Sequence, residues 1–223
     1  MKIELEPIAL IENPLGGKFG LPRQASLVPE LESKAVFFPE FSAPEAFREI
    51  DGFSHVWLIW GFSLSGGVWH PTVRPPRLGG NKRVGVFASR SPFRPNPLGL
   101  SCVKLVSVSF ADGRAILTLG GADLADGTPI YDVKPYVPYA DCVPDAAGGW
   151  ANAAPGPKLK VFLSPALRER LGAEDAAALT ALLSQDPRPA YQDDPERVYA
   201  LEWKSLTVRF RVENGVLTTT DEK

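Results

Sequence analysis

The sequence has 223 residues, 44% of them hydrophobic, and a formal net charge of −2 at neutral pH. That length suits one large domain, or one domain with a smaller companion. No apolar run approaches the roughly 18 residues of a membrane span, and Met1-Lys2-Ile3-Glu4-Leu5-Glu6 lacks the apolar core of a signal peptide, so a soluble cytoplasmic protein is expected.

The net charge hides an asymmetry. Between Gly52 and Ala111 there is no Asp or Glu, while Arg74, Arg77, Lys82, Arg83, Arg90, Arg94 and Lys104 give that stretch +7 against −9 for the rest. So one-sided a segment points to an anionic partner, nucleic acid first, and to salt-sensitive binding. Cys102 and Cys142 are the only cysteines and form no Cys-x-x-Cys motif, which excludes a disulfide framework. His55 and His70 have no clustered Cys, Asp or Glu beside them, so no metal site is expected.

In chain order, the loop Lys18-Phe19-Gly20-Leu21-Pro22-Arg23-Gln24 comes first. Gln24 offers donors and an acceptor, Arg23 a planar fork for a carboxylate or phosphate, and Pro22 a stiff approach. Ser42-Ala43-Pro44-Glu45 has capping-box spacing and predicts a helix to about Ile50, before Gly52. Val56-Trp57-Leu58-Ile59-Trp60 and Val84-Gly85-Val86-Phe87-Ala88 read as buried strands.

The loop Arg90-Ser91-Pro92-Phe93-Arg94-Pro95-Asn96-Pro97-Leu98-Gly99 follows. Its three prolines fix the backbone and remove three donors, so its arginines and Asn96 sit at set positions, as a preorganised site requires. Leu100 to Phe110 and Ala115 to Leu119 flank Asp112-Gly113, a hairpin signal. Asp126-Gly127-Thr128-Pro129 reads as a turn. Asp132 and Lys134 share a face of the strand beyond it. Short strands separated by turns predict a mainly β sandwich or barrel.

Pro144 to Pro157 is rich in Ala, Gly and Pro and reads as a linker. Ser164-Pro165 caps a helix ended by Gly172, and a second helix spans Ala173 to Ser184. Asp194-Pro195 predicts a third, short helix. Leu206 to Val212 and Val216 to Thr219 flank Asn214-Gly215, another hairpin signal. The division is thus a barrel-like domain at 1–143 and a small α+β domain at 158–223, joined by 144–157. Several common site motifs do not occur. Gly79-Gly80-Asn81-Lys82 lacks the spacing and hydroxyl of a phosphate loop. The sequence has no Gly-x-Gly-x-x-Gly after a strand and no Gly-x-Ser-x-Gly elbow.

The motifs resemble, in order and spacing, those of the TsaA/TrmO-type β-barrel methyltransferases. The matching segments are Pro22-Arg23-Gln24, Asp51 to Trp57, Arg74-Pro75-Pro76-Arg77-Leu78-Gly79-Gly80-Asn81 and Arg90 to Gly99. They continue with Asp126 to Pro129, Asp132-Val133-Lys134-Pro135-Tyr136 and Asp186-Pro187-Arg188-Pro189-Ala190-Tyr191, the last as in the longer bacterial form. The resemblance covers nearly the whole chain. It implies a TsaA-like β-barrel with a small C-terminal α+β domain, a homodimer, S-adenosylmethionine as cofactor, and the anticodon arm of tRNA as partner. The implied reaction is methylation of the exocyclic nitrogen of threonylcarbamoyl-modified adenosine 37, mainly in threonine tRNA.

Carried over by motif, Pro22, Arg23, Gln24, Arg90, the backbone of Leu100 and the turn Asp126, Gly127, Thr128 and Pro129 are expected at the cofactor. Ser63 stands where many members carry the His of a Phe-His pair, and is expected there too. Arg74, Arg77, Lys82, Arg83, Arg94 and Asn96 are the expected substrate contacts. The threonylcarbamoyl group draws electrons from the nitrogen, so a base should assist. Asp132 and Tyr136 are the candidates, with Lys134 beside them. The alternatives are a non-catalytic RNA-binding barrel and a methyltransferase of a small metabolite.

Overall fold

The computed structural model describes every residue except Met1, Gly66, 154–157, Ala190, Tyr191, Asp193 and 221–223. Strands β1 (Ala9–Glu12), β2 (Glu32–Phe37), β3 (His55–Gly61), β6 (Leu98–Ala111), β7 (Arg114–Gly120) and β8 (Pro129–Pro135) close into a barrel in the order β1-β2-β7-β6-β3-β8. The two-residue strands β4 (Thr72–Val73) and β5 (Val84–Gly85) pair outside it. Closure leaves no free edge. Alternate side chains of each strand turn inward: Ile11, Ala35, Val56, Leu58, Val103, Leu117, Leu119 and Ile130 are at most 1% exposed and fill the interior.

The Asp112-Gly113 turn behaves as its sequence predicts. Ala111 pairs with Arg114, and both turn residues have positive φ, 50° and 72°, the twist that continues a two-residue hairpin.

A one-turn helix α1 (Pro138–Asp141) follows the barrel. The small sheet is β10 (Tyr199–Trp203), β11 (Leu206–Glu213), β12 (Val216–Thr220) and β9 (Lys160–Phe162), in the order β10-β11-β12-β9, with β9 parallel to β12. Asn214-Gly215 closes β11 on β12 with φ of 48° and 77°. Helix α2 (Pro165–Ser184) packs on the sheet. Its cap is Ser164, whose Oγ accepts from the Leu167 N–H at 3.2 Å, and Gly172 (φ 75°) breaks it into the two expected pieces.

The chain between β1 and β2 leaves the barrel. Leu15, Val28 and Leu31 are buried in the small domain's core, with Leu179, Trp203 and Phe210. Phe19 stacks on Tyr199 (centroids 6.3 Å, planes within 1°) and on Phe210. At Gly20 (φ 87°) an added Cβ would lie 2.3 Å from Leu201.

Three local expectations fail. In place of the helix from Ser42 to Ile50 there are two separate 3-10 turns, at Pro44–Phe47 and Ile50–Gly52, preceded by a third at Pro39–Phe41. Ser42 caps none of them. Its hydroxyl donates to the Phe38 carbonyl (2.8 Å) and accepts from the Ala115 N–H (3.0 Å), tying the segment to the barrel end, and Glu49 at φ 67° interrupts the chain before Ile50. Val84–Ala88 is strand only at Val84–Gly85. It then turns, leaving Phe87 76% exposed. Asp194 starts a turn, not a helix: its carboxylate accepts from the Glu196 N–H at 3.0 Å and its carbonyl from Arg197.

Candidate functional site

A cavity of about 430 Å³ opens at one end of the barrel, within the range of small-molecule sites. Its walls are the Lys18–Gln24 loop and the Ser89–Arg94 loop. Its floor is made by the ends of β3 and β6 and by Asp123-Leu124-Ala125. The two loops touch: the Arg90 guanidinium donates to the Gln24 side-chain carbonyl. Gly99 allows the floor to form, because a Cβ there would come within 2.2 Å of the Trp60 indole.

Most of the expected cofactor residues meet here. Pro22, Arg23, Gln24, Ser63, Arg90, Leu100 and Thr128 line the cavity; Asp126, Gly127 and Pro129 do not. The turn faces β1 instead. Asp126 accepts from the Asn13 N–H at 3.0 Å, the Asp126 N–H donates to Leu15 and the Gly127 N–H to Ile11. It thereby holds the 3% exposed Thr128 in place at the cavity.

Asp123, three residues before that turn, was assigned no role from the sequence. It lines the cavity beside Trp60 and four basic side chains, Lys18, Arg23, Arg90 and Arg94. The Trp60 indole donates to Ser101 Oγ (3.0 Å), which donates to the Asp123 carboxylate (2.6 Å). Burial pushes that carboxyl above the ordinary aspartate value, against the opposing pull of Ser101, backbone N–H groups and Arg90. The available sequence signal was one acid between buried Ala122 and Leu124, in a segment already marked by its turn.

Arg94 is tied to its own loop. Its guanidinium donates to the carbonyls of Ser89 (2.7 Å) and Val86 (3.3 Å) and lies 6.0 Å from the Phe87 ring. Asn96 lines neither cavity, and its carbonyl accepts from the Leu98 N–H at 2.8 Å.

A second, wider groove shares the Arg23–Gln24 and Ser89–Pro92 wall. It carries Arg74, Arg77 and Arg83 with Phe87 and Phe93, and no Asp or Glu among its described lining residues. Lys82 is exposed near it but does not line it. Part of the expected linker closes the far side. Trp150 donates to the Ala88 carbonyl at 2.9 Å, and Arg77 donates to that of Ala153.

Asp132 and Lys134, on the outer face of β8, and Tyr136, just after it, lie outside both cavities. Asp132 and Lys134 form an exposed ion pair at 2.9 Å. In register, Leu100 sits opposite Ile59 and Ile59 opposite Asp132. Asp132 is therefore two strand spacings, roughly 10 Å, from the cavity rim. The Tyr136 ring contacts Trp57 and His55. Its phenol is pushed above the ordinary tyrosine value, by desolvation first and then by Cys142, so it holds its proton at neutral pH. His55 Nδ1 lies 2.9 Å from Ser54 Oγ.

Among the described residues, no group of three or more His, Cys, Asp and Glu could hold a metal, and no helix is long and apolar enough to cross a membrane. The donor set of the first cavity suits a methionine-containing nucleotide: guanidinium groups for a carboxylate, Asp123 for a cation, and Trp60 and Leu100 for apolar surface.

Comparison with known proteins gives the chain's relatives. Residues 10–142 match the model of the tRNA-methyltransferase O N-terminal domain, and residues 156–221 that of the TrmO C-terminal domain. The chain is 40% identical over 219 residues to the tRNA (adenine(37)-N6)-methyltransferase of Escherichia coli K12, covering 94% of this chain and 93% of that protein. It is 42% identical over the same length to a Pseudomonas aeruginosa protein described as a putative S-adenosylmethionine-dependent methyltransferase, RcsF, with the same coverage. A crystal structure of TrmO from Pseudomonas aeruginosa superposes with a TM-score of 0.79 at 33% identity, covering 99% of this chain and 98% of that one.

Proposed function

This chain belongs to the tRNA-methyltransferase O family, and from that premise we infer that it methylates N6 of adenosine 37 in tRNA, using S-adenosylmethionine. The observation that carries the reading is the juxtaposition of the two cavities: a smaller one with mixed charges and a wider, acid-free arginine groove share one wall. We extend the reading to the threonylcarbamoyl-modified adenosine of threonine tRNA, to the anticodon arm as the bound region, to a homodimer and to a cytoplasmic location. We keep 1–143 and 158–223 as its two units.

S-adenosylmethionine, when bound, supplies a methyl carbon already activated by its sulfonium. The protein's part is to align donor and acceptor and to exclude water. Arg23, Gln24 and Arg90 form the polar wall at the donor and Leu100 and Trp60 the apolar surface, with Ser63 and Thr128 adding hydroxyls to the lining. Arg74, Arg77 and Arg83 hold phosphates, and the exposed Phe87 and Phe93 offer ring faces to unpaired bases.

Asp132 is assigned as the acceptor of the N6 proton, because Tyr136 retains its own. Lys134 holds that carboxylate in place. The apolar residue Leu100 stands 54% exposed on β6, across Ile59 from Asp132 on the same outer face. A second copy covering it would enclose the face that carries Asp132, and this supports the dimer.

Nucleoside mass spectrometry of threonine tRNA incubated with the protein and S-adenosylmethionine should show one added methyl on the threonylcarbamoyl-modified adenosine. No transfer to any tRNA would overturn the assignment. Arg74→Glu with Arg77→Glu should weaken tRNA binding by 10-fold or more, on the order expected for reversing two phosphate contacts, and leave donor binding intact. Arg23→Ala and Arg90→Ala should do the converse.

A further inference from the structure

The first cavity is electrostatically lopsided in a way that singles out one residue. Four basic side chains line it, Lys18, Arg23, Arg90 and Arg94, and among the described lining residues Asp123 is the one carboxylate. The basic groups account for the donor's carboxylate. They do not account for its two cationic groups, the α-ammonium and the sulfonium.

Asp123 is also built to keep its position. The carboxylate is held from behind by Ser101 at 2.6 Å, and that hydroxyl is oriented in turn by the buried Trp60 indole at 3.0 Å. Trp60 is itself locked against Gly99. A further N–H comes from Ala25, next to the Pro22–Gln24 wall. The residues on either side, Ala122 and Leu124, are at most 1% exposed, while Asp123 reaches the cavity.

A carboxylate in such a place costs desolvation free energy that its hydrogen-bond donors only partly offset, so burial holds the carboxyl above the ordinary aspartate range. Nothing in the barrel's own packing explains why an acid stands there: the hydroxyl of Ser101 could bond a neutral amide equally well.

We propose that Asp123 is the cation-recognising residue of the donor pocket, its carboxylate pairing with a positively charged group of S-adenosylmethionine. This rests on the reading of the cavity as the donor site. The same fixed anion beside Trp60 presents a charge and a ring face together, the combination that attracts organic cations.

Isothermal titration with three probes tests it. The probes are S-adenosylmethionine, with both cations; S-adenosylhomocysteine, with the ammonium only; and 5′-methylthioadenosine, with the nucleoside and neither cation. Asp123→Asn should weaken S-adenosylmethionine by about 10- to 100-fold, the range for a hydrogen bond to a charged group, and leave methylthioadenosine within a few-fold. Equal weakening of S-adenosylhomocysteine assigns the ammonium; an effect confined to S-adenosylmethionine assigns the sulfonium. If methylthioadenosine loses as much as the full donor, the carboxylate reads the ribose and the proposal is overturned.

Two further readouts separate this from a structural role. A neutral amide avoids the desolvation cost, so the ligand-free Asp123→Asn protein should melt no lower than the wild type; a melting point several degrees lower with unchanged donor affinity would overturn the idea. In the wild type, donor affinity should fall on acidification, beginning above the pH at which an ordinary aspartate is protonated, because burial raises the Asp123 carboxyl. The other charged groups around it are Lys18, Arg23, Arg90 and Arg94. A flat wild-type profile would overturn the proposal even if the variant does not fold. Failure of the wild type to bind S-adenosylmethionine at all would instead remove the reading of the cavity on which the proposal rests.

Discussion

The two loops that wall the donor cavity are held by different means. The Ser89–Arg94 wall is braced locally: prolines 92, 95 and 97 restrict its backbone, and the Arg94 guanidinium binds carbonyls of its own loop. The Lys18–Gln24 wall is braced from a distance. Phe19 stacks on rings of β10 and β11, Gly20 abuts Leu201, Lys204 donates to the Pro14 carbonyl at 2.7 Å, and Arg23 donates to the carbonyls of Asp186 and Arg188, both at 3.3 Å. One side of the site therefore depends on the small domain, although none of that domain's described residues lines the cavity.

The largest effect should come from undermining the remote brace. Phe210 is fully buried in the small domain's core, so Phe210→Ala should cost about 3–5 kcal/mol of stability. At temperatures where the variant stays folded, it should still weaken S-adenosylmethionine binding, measured by titration. Donor affinity unchanged there would show that the Pro22–Gln24 wall stands without its support.

Breaking the local brace should do less. Arg94→Ala removes charge-assisted hydrogen bonds worth about 1.5–3 kcal/mol and should show as faster hydrogen exchange confined to residues 86–97. Arg94→Lys should not restore protection, because an ammonium lacks the planar fork that spans several carbonyls. Exchange spreading to the Lys18–Gln24 loop would mean the walls are one unit. Smaller again is the effect of Gly99→Ala on the floor common to both, about 1–3 kcal/mol from overpacking against Trp60. It should lower donor affinity and quench or shift the Trp60 fluorescence, whichever wall is intact.

Legibility in the sequence followed range. Asp112-Gly113 and Asn214-Gly215 specified their hairpins because two adjacent residues with positive φ contain the whole turn. Ser164 and Gly172 marked a helix start and a break for the same local reason. The Ser42 segment misled because its capping pattern was satisfied elsewhere: the hydroxyl served a β7 N–H that lies 73 positions away. Val84 to Ala88 misled in the other direction, since an apolar run does not reveal whether the fold has a place to bury it.

The sequence by itself determined the turns, the rigid Arg90–Gly99 loop, the acid-free basic stretch and the motif order that the family comparison matches. These are properties of neighbouring residues or of composition. Only the tertiary structure decided that the small domain braces the Pro22–Gln24 wall, that Asp132 faces outward near the rim, and that Asp123 stands as an acid among arginines. Each of those depends on contacts between segments far apart in the chain, where closure of the barrel and the competition for buried space set the outcome.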